Sequence, residues 1–203
     1  MIPSVQSTSG AVICGPYRYL LWREWRPDCP RLLWIMLNPS TANETEDDPT
    51  LRRCITFSRA WSYGRLEVVN LYAWRTPSPS DLACVPSPVG SENDRYIREA
   101  ALRAARIIVA WGAHPLAQER ARQVLALLNQ PVWCLGTTRA GHPRHPLYLG
   151  RETALRPFEP VAASLPDGGQ RHDEHDPASA QGHLCHQFDP AVGDTYGPRP
   201  QTD

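Results

Sequence analysis

The sequence predicts an α/β fold: a three-layer α/β/α domain with a mostly parallel central sheet. Three observations carry that prediction. Short apolar runs of strand length alternate with segments of helical periodicity in the order β-β-α-β-α-β-α-β, and such alternation builds parallel sheets covered by their crossover helices. The run Leu32-Leu33-Trp34-Ile35-Met36-Leu37 is apolar without interruption, as in a strand buried on both faces. The chain has 203 residues, 41% of them apolar and 21% charged, which suffices for one domain of ~150 residues with additional segments.

The elements follow in order. Tyr17 to Trp25 is aromatic-rich and reads as a strand. Arg26-Pro27-Asp28-Cys29-Pro30 is a turn, and the strand at 32–37 is expected to pair antiparallel with the one before it. Asn38 to Asp47 is polar and irregular, and Asp48-Pro49 reads as the cap and first position of a helix. Leu51, Cys54, Ile55, Ser58 and Trp61 recur at helical spacing, with Gly64 as the expected stop. Leu66 to Tyr72 is the next strand, followed by a Pro/Ser-rich loop from Thr76 to Pro88. Ser91 to Ala105 is a helix, Arg106 to Trp111 a strand, Pro115 to Asn129 a helix, and Val132 to Leu135 a short strand ending at Gly136. The expected organisation is an N-terminal leader over 1–16, one α/β domain over 17–158, and an acidic disordered tail over 159–203, where apolar periodicity disappears.

Composition excludes whole classes of chemistry. All 21 basic residues are arginine. Without lysine there is no side-chain Schiff base, no Walker-loop lysine and no ATP-binding lysine of a protein kinase. The formal net charge of zero conceals an asymmetry: residues 1–158 carry 19 arginines against 13 carboxylates, and residues 159–203 carry 2 against 8. A body at +6 suits a polyanionic partner, and is equally an ordinary protein surface. The six cysteines form no C-x-x-C pair. With no secretory signal and no stretch of ~18 apolar residues, reduced thiols in the cytoplasm, no membrane and no bound metal or other cofactor are expected. His172, His175, His183, Cys185 and His186 in the tail read as a solvated tract or as metal ligands. Oligomeric state is not legible.

Open parallel sheets bind ligands beyond the carboxyl ends of their strands. Four segments leave those ends: Asn38 to Thr41, Asn70 to Arg75, Trp111 to His114, and Gly136 to Tyr148. Asn38 follows the buried strand and precedes Pro39, so it either holds a water or a ligand carbonyl or simply forms an Asn-Pro turn. Asn70 interrupts an apolar strand, and its amide, both donor and acceptor, suits a base edge or an internal hydrogen bond. In His142-Pro143-Arg144-His145-Pro146 either histidine suits proton donation or charge stabilisation, and Arg144 suits a phosphate. Glu44, Glu46, Asp47 and Asp48 suit water activation or magnesium, or a solvated loop with one helix cap. No G-x-S-x-G, G-x-G-x-x-G or H-E-x-x-H pattern is present.

The strings Met36-Leu37-Asn38-Pro39-Ser40-Thr41-Ala42, Asp48-Pro49-Thr50, Val69-Asn70-Leu71, Ala110-Trp111-Gly112 and Pro143-Arg144-His145-Pro146-Leu147-Tyr148 resemble, in order, the uncharacterised bacterial and phage domain family numbered 1643 in the DUF series, over about Tyr17 to Phe158. More distantly the same order resembles the uracil-DNA glycosylase superfamily. That resemblance implies a uracil-DNA-glycosylase-like fold, with Asn38 positioning water, Asn70 reading the base, Trp111 beside it, and His145 stabilising the charge on the departing base. Arg144 and Arg75 would contact phosphate. Two residues depart from that pattern: Leu37 stands near a usual glycine-containing turn, and Leu147 replaces a small residue. Phe57, Trp61 and Tyr72 are the candidates for a stacking aromatic.

The expectation is therefore a protein that binds a nucleobase and hydrolyses its N-glycosidic bond. The alternatives are a non-catalytic nucleic-acid or nucleotide-binding module, and an enzyme acting on a free nucleotide or RNA. Without lysine, a glycosylase here is monofunctional, because cleaving the strand after base loss uses a lysine in the bifunctional enzymes.

Overall fold

The computed structural model describes residues 7–160. Every element expected from the sequence occurs, in the expected order. The strands are β1 (Thr8–Cys14), β2 (Tyr17–Glu24), β3 (Arg31–Met36), β4 (Arg65–Asn70), β5 (Arg106–Val109), β6 (Val132–Cys134) and β7 (Arg156–Pro157). The helices are α1 (Pro49–Ala60), α2 (Asn93–Arg103) and α3 (Ala117–Ala126), with 3-10 turns at Pro79–Cys84 and Pro146–Tyr148. The histidines proposed for the tail lie outside the described residues.

One seven-stranded sheet runs in the order β1-β2-β4-β3-β5-β6-β7. β4, β3, β5 and β6 are mutually parallel, whereas β1–β2, β2–β4 and β6–β7 pair antiparallel. The sheet is thus mixed, not mostly parallel. The departures lie on either side of the parallel strands, where β1 and β2 flank β4 and β7 flanks β6. Gly15 and Pro16 alone join β1 to β2, and Gly15 takes the positive φ of 53° that such a turn needs. Thr8–Cys14, within the stretch expected as a leader, form the edge strand β1.

The expected pairing of the first two predicted strands is also corrected: β4 lies between β2 and β3. The chain after α1 inserts there, and Gly64 marks the insertion. Its N–H donates to the Pro30 carbonyl at 3.0 Å, and its carbonyl accepts from Trp25 and Arg26 at 2.9 and 3.0 Å. A Cβ at Gly64 would stand 1.9 Å from the Arg26 oxygen, so this glycine serves close approach rather than helix termination. α1 ends earlier. Ser62 takes φ 64°, with Tyr63 N–H on the Ser58 carbonyl and Ser62 N–H on that of Arg59, both 3.0 Å, which is a Schellman ending with serine in place of glycine.

Strand alternation divides the core in two. Leu33, Ile35, Val69, Ile107 and Val109 pack with Ile97 and Ala100 of α2 and Ala117, Ala121 and Val124 of α3. Leu32, Trp34, Met36, Leu66, Val68 and Ile108 pack with Leu51, Cys54 and Phe57 of α1. Both sets are buried because successive strand residues point to opposite faces. This explains the uninterrupted apolar run of β3.

Candidate functional site

A cavity of about 380 Å³ opens at the carboxyl ends of β3, β4 and β5, lined in part by Asn38, Asn70, Trp111 and His145. Its size falls at the lower end of the range for small-molecule sites. Four loops make its walls, and hydrogen bonds brace them. Thr76 N–H donates to the Pro39 carbonyl at 3.0 Å, Gly112 N–H to that of Pro143 at 3.0 Å, and Arg144 N–H to that of Gly136 at 2.9 Å. Gly112 makes its bond with φ 79°, a left-handed conformation that favours glycine. That requirement explains the glycine after Trp111.

Asn38 spends its amide nitrogen on the Thr76 and Pro39 carbonyls, at 2.8 and 3.0 Å. Both N–H donors are thereby committed, and Oδ1 remains as an acceptor. Asn70, 1% exposed, is set the opposite way. Its Oδ1 accepts from Arg18 Nη2 at 3.3 Å. Arginine only donates, so this contact fixes the amide orientation and leaves Nδ2 as the free donor. Asn93 anchors the same strand end, donating from Nδ2 to the Asn70 and Leu71 carbonyls at 3.0 Å each.

His145 precedes the Pro146–Tyr148 turn, and its Nδ1 accepts from Leu147 N–H at 3.4 Å. The proton of the neutral ring then sits on Nε2. Burial holds the His145 pKa below its ordinary value, against the opposing pull of Asp48. At neutral pH His145 is thus an uncharged hydrogen-bond donor. Trp111, 4% exposed, gives the cavity an apolar wall and meets Phe158 edge-on at 5.8 Å.

Two expected phosphate contacts are not brought to this cavity. Arg144 lines a separate cleft with Glu152, Thr153 and Arg156. It neighbours His145, whose backbone is extended at φ −75° and ψ 136°, and adjacent residues of an extended segment face opposite ways. Arg75 also lies off the cavity lining, though its charge reaches Arg18. His142 is not part of the lining. Of the stacking candidates, Phe57 and Trp61 stack on each other in the core at 5.2 Å, and Tyr72 donates its hydroxyl to the Leu116 carbonyl at 2.8 Å. The aromatic rings at the cavity are instead those of Trp111 and Tyr148.

The carboxylate cluster separates into distinct roles. Asp47 pairs with Arg23 at 2.8 Å, and Arg23 also donates to the Asn43 carbonyl at 2.7 Å. Glu44 and Glu46 are exposed. Asp48 caps α1 through Leu51 N–H at 2.7 Å and also lines the cavity. Among the described residues no group of three or more His, Cys, Asp or Glu is placed to hold a metal ion.

Sequence reasoning missed Arg18 as a cavity residue, and it did not single out His114 and Tyr148 within the segments expected at this edge. The signal for Arg18 was present: a lone charge between Tyr17 and Tyr19 in a strand. Sequence pattern alone does not separate a buried cation from an edge-strand one.

Comparison with curated proteins returns no match, and neither does comparison with solved structures. Residues 18–147 match the family described as protein of unknown function (DUF1643). That segment runs from Arg18 in the cavity lining to the turn after His145, so it spans nearly the whole lining, and the chain belongs to this family of proteins of unknown function.

Proposed function

We propose that the cavity binds a nucleobase and that the protein hydrolyses its N-glycosidic bond, on a three-layer scaffold like that of the uracil-DNA glycosylases. The observation that carries this reading is complementary polarity within one cavity: Asn38 offers an acceptor, while Asn70 and a neutral His145 offer donors. A water held by Asn38 Oδ1 attacks C1′ of the sugar. The C1′–N bond breaks and its electron pair leaves on the base. His145 Nε2–H donates to the base oxygen that gains charge, which an uncharged imidazole does without first neutralising the site. Asn70 Nδ2 donates to a base carbonyl, and the Asp48 carboxylate takes the proton lost by water. The base enters extrahelically, with Trp111 and Tyr148 as apolar and stacking surface.

The +6 balance of residues 1–158 supports a nucleic-acid partner, with exposed Arg144 contacting phosphate outside the cavity. Among the described residues no helix is long and apolar enough to cross a membrane, and the reading implies a cytoplasmic protein. The test is incubation of the purified protein with oligonucleotides carrying uracil or hypoxanthine. Base release that His145→Ala abolishes is expected. No release from any of these substrates overturns the catalytic reading.

A further inference from the structure

Among the described residues the buried charged side chains are in ion pairs, with one exception. Arg23, Glu67 and Arg120 are each no more than 8% exposed. Arg23 meets Asp47 at 2.8 Å, Glu67 meets Arg65 at 2.9 Å and Arg103 at 3.3 Å, and Arg120 meets Asp94. Arg18 is 5% exposed and forms no ion pair among the described residues. Its guanidinium donates to two neutral oxygens, the Ala42 carbonyl at 2.9 Å and Asn70 Oδ1 at 3.3 Å. Its Nε–H is buried with no acceptor. Arg65 and Arg75 also carry a buried Nε–H without an acceptor, and the charge of Arg75 bears on Arg18 unfavourably. Burial, with Arg75 and Arg23 adding to it against the pull of Asp48, lowers the Arg18 pKa to about 10. Arg18 therefore remains a cation at neutral pH.

An unpaired buried cation is costly, and breaking up a buried ion pair destabilises for the same reason. Orienting the Asn70 amide does not require a charge, since a neutral donor would serve. Arg18 lines the cavity, and its planar fork of donors matches oxygens that share a negative charge. We propose that Arg18 reads charge in this cavity: the occupant presents a negatively charged oxygen to its guanidinium, beside the Asn70 donor. Two sources supply that chemistry. One is a phosphate or carboxylate carried by a small ligand such as a free nucleotide. The other is the charge left on the base oxygens when the glycosidic bond breaks. The inference rests on the cavity being the ligand site, as in the reading above, but not on hydrolysis.

Calorimetric titration of the full chain at neutral pH and constant ionic strength tests it with two probe pairs. Uridine monophosphate is compared with uridine, and barbiturate, a pyrimidine that is an anion at neutral pH, with uracil. In at least one pair the anion is expected to bind about tenfold tighter or more; the pair that shows it identifies the source. Arg18→Met removes the preference, and Arg18→Lys retains part of it. The buried Nε–H of Arg18 gives a second readout on the unaltered protein: its NMR resonance shifts with the anion and not with the neutral probe, which decides the matter if Arg18→Met does not fold. Absence of anion preference in both pairs, including no binding of any probe, overturns the proposal, as does a preference that survives Arg18→Met. Base excision without anion preference removes this proposal and leaves the glycosylase reading; anion preference without excision does the reverse.

Discussion

Asp48 joins two functions in one side chain, and substituting it separates them. Its Oδ1 caps α1 at 2.7 Å from Leu51 N–H, while its charge favours protonation of both Arg18 and His145. Asp48→Ala removes the cap. Loss of an N-cap costs about 0.5–2 kcal/mol. Here the orphaned donor belongs to Leu51, which is 4% exposed, so water does not replace the lost acceptor and the upper end, about 2 kcal/mol, applies. For a domain of this size that corresponds to a fall in Tm of roughly 4–8 °C. Asp48→Asn keeps an oxygen for Leu51 and should cost about 0.5 kcal/mol or less in capping. It nevertheless removes the negative charge, so the His145 pKa falls further below its ordinary value. Urea unfolding measures the first effect and NMR titration of the His145 ring the second. If the alanine and asparagine variants are equally destabilised, or if the His145 titration is the same in Asp48→Asn as in the unsubstituted protein, the reasoning is wrong.

Two further outcomes are expected. His145 has a folded pKa below the ordinary 6.5, so between that folded value and 6.5 the unfolded chain binds a proton that the folded chain does not. Its contribution to stability is complete above about pH 6.5 and is lost as pH falls through the window; in urea unfolding, the unsubstituted protein should lose stability relative to His145→Gln on going from about pH 7 to about pH 5. Gly112→Ala places a Cβ 3.7 Å from that of His145, an ordinary contact, but at φ 79°, so the cost is conformational, about 1–2 kcal/mol. Unfolding measurements give that cost, and because Gly112 N–H holds the Pro143 carbonyl, a displaced His145 ring resonance should accompany it.

The order of elements was legible because it follows from local physics. Alternating and helical periodicities record which residues need burial, and Asp48-Pro49 announces the start of α1 by the chemistry of capping. The strands whose neighbours were misread are those whose partners come from afar. β2 faces β4 rather than β3, and nothing within residues 17–37 encodes the insertion of a strand from 65–70. Asn38, Asn70, Trp111 and His145 line one cavity, and their meeting was legible because each lies at or beyond the carboxyl end of a parallel strand. That Arg144 lines a different cleft from its neighbour His145 was not legible, because one residue along an extended segment reverses the direction of a side chain.

Alone, the sequence determined the kinds of group available: no lysine, an arginine-only complement of cations, and asparagine and histidine at strand ends. Tertiary structure decided what each group has left to offer. Asn38 became an acceptor and Asn70 a donor because the loop at Thr76 and the side chain of Arg18 consumed the other half of each amide. Arg18 became an unpaired buried cation through Ala42 and Asn70, which lie 24 and 52 residues away. Hydrogen-bond capacity is a property of a residue type, but which part of it remains unspent depends on contacts that only the folded chain makes.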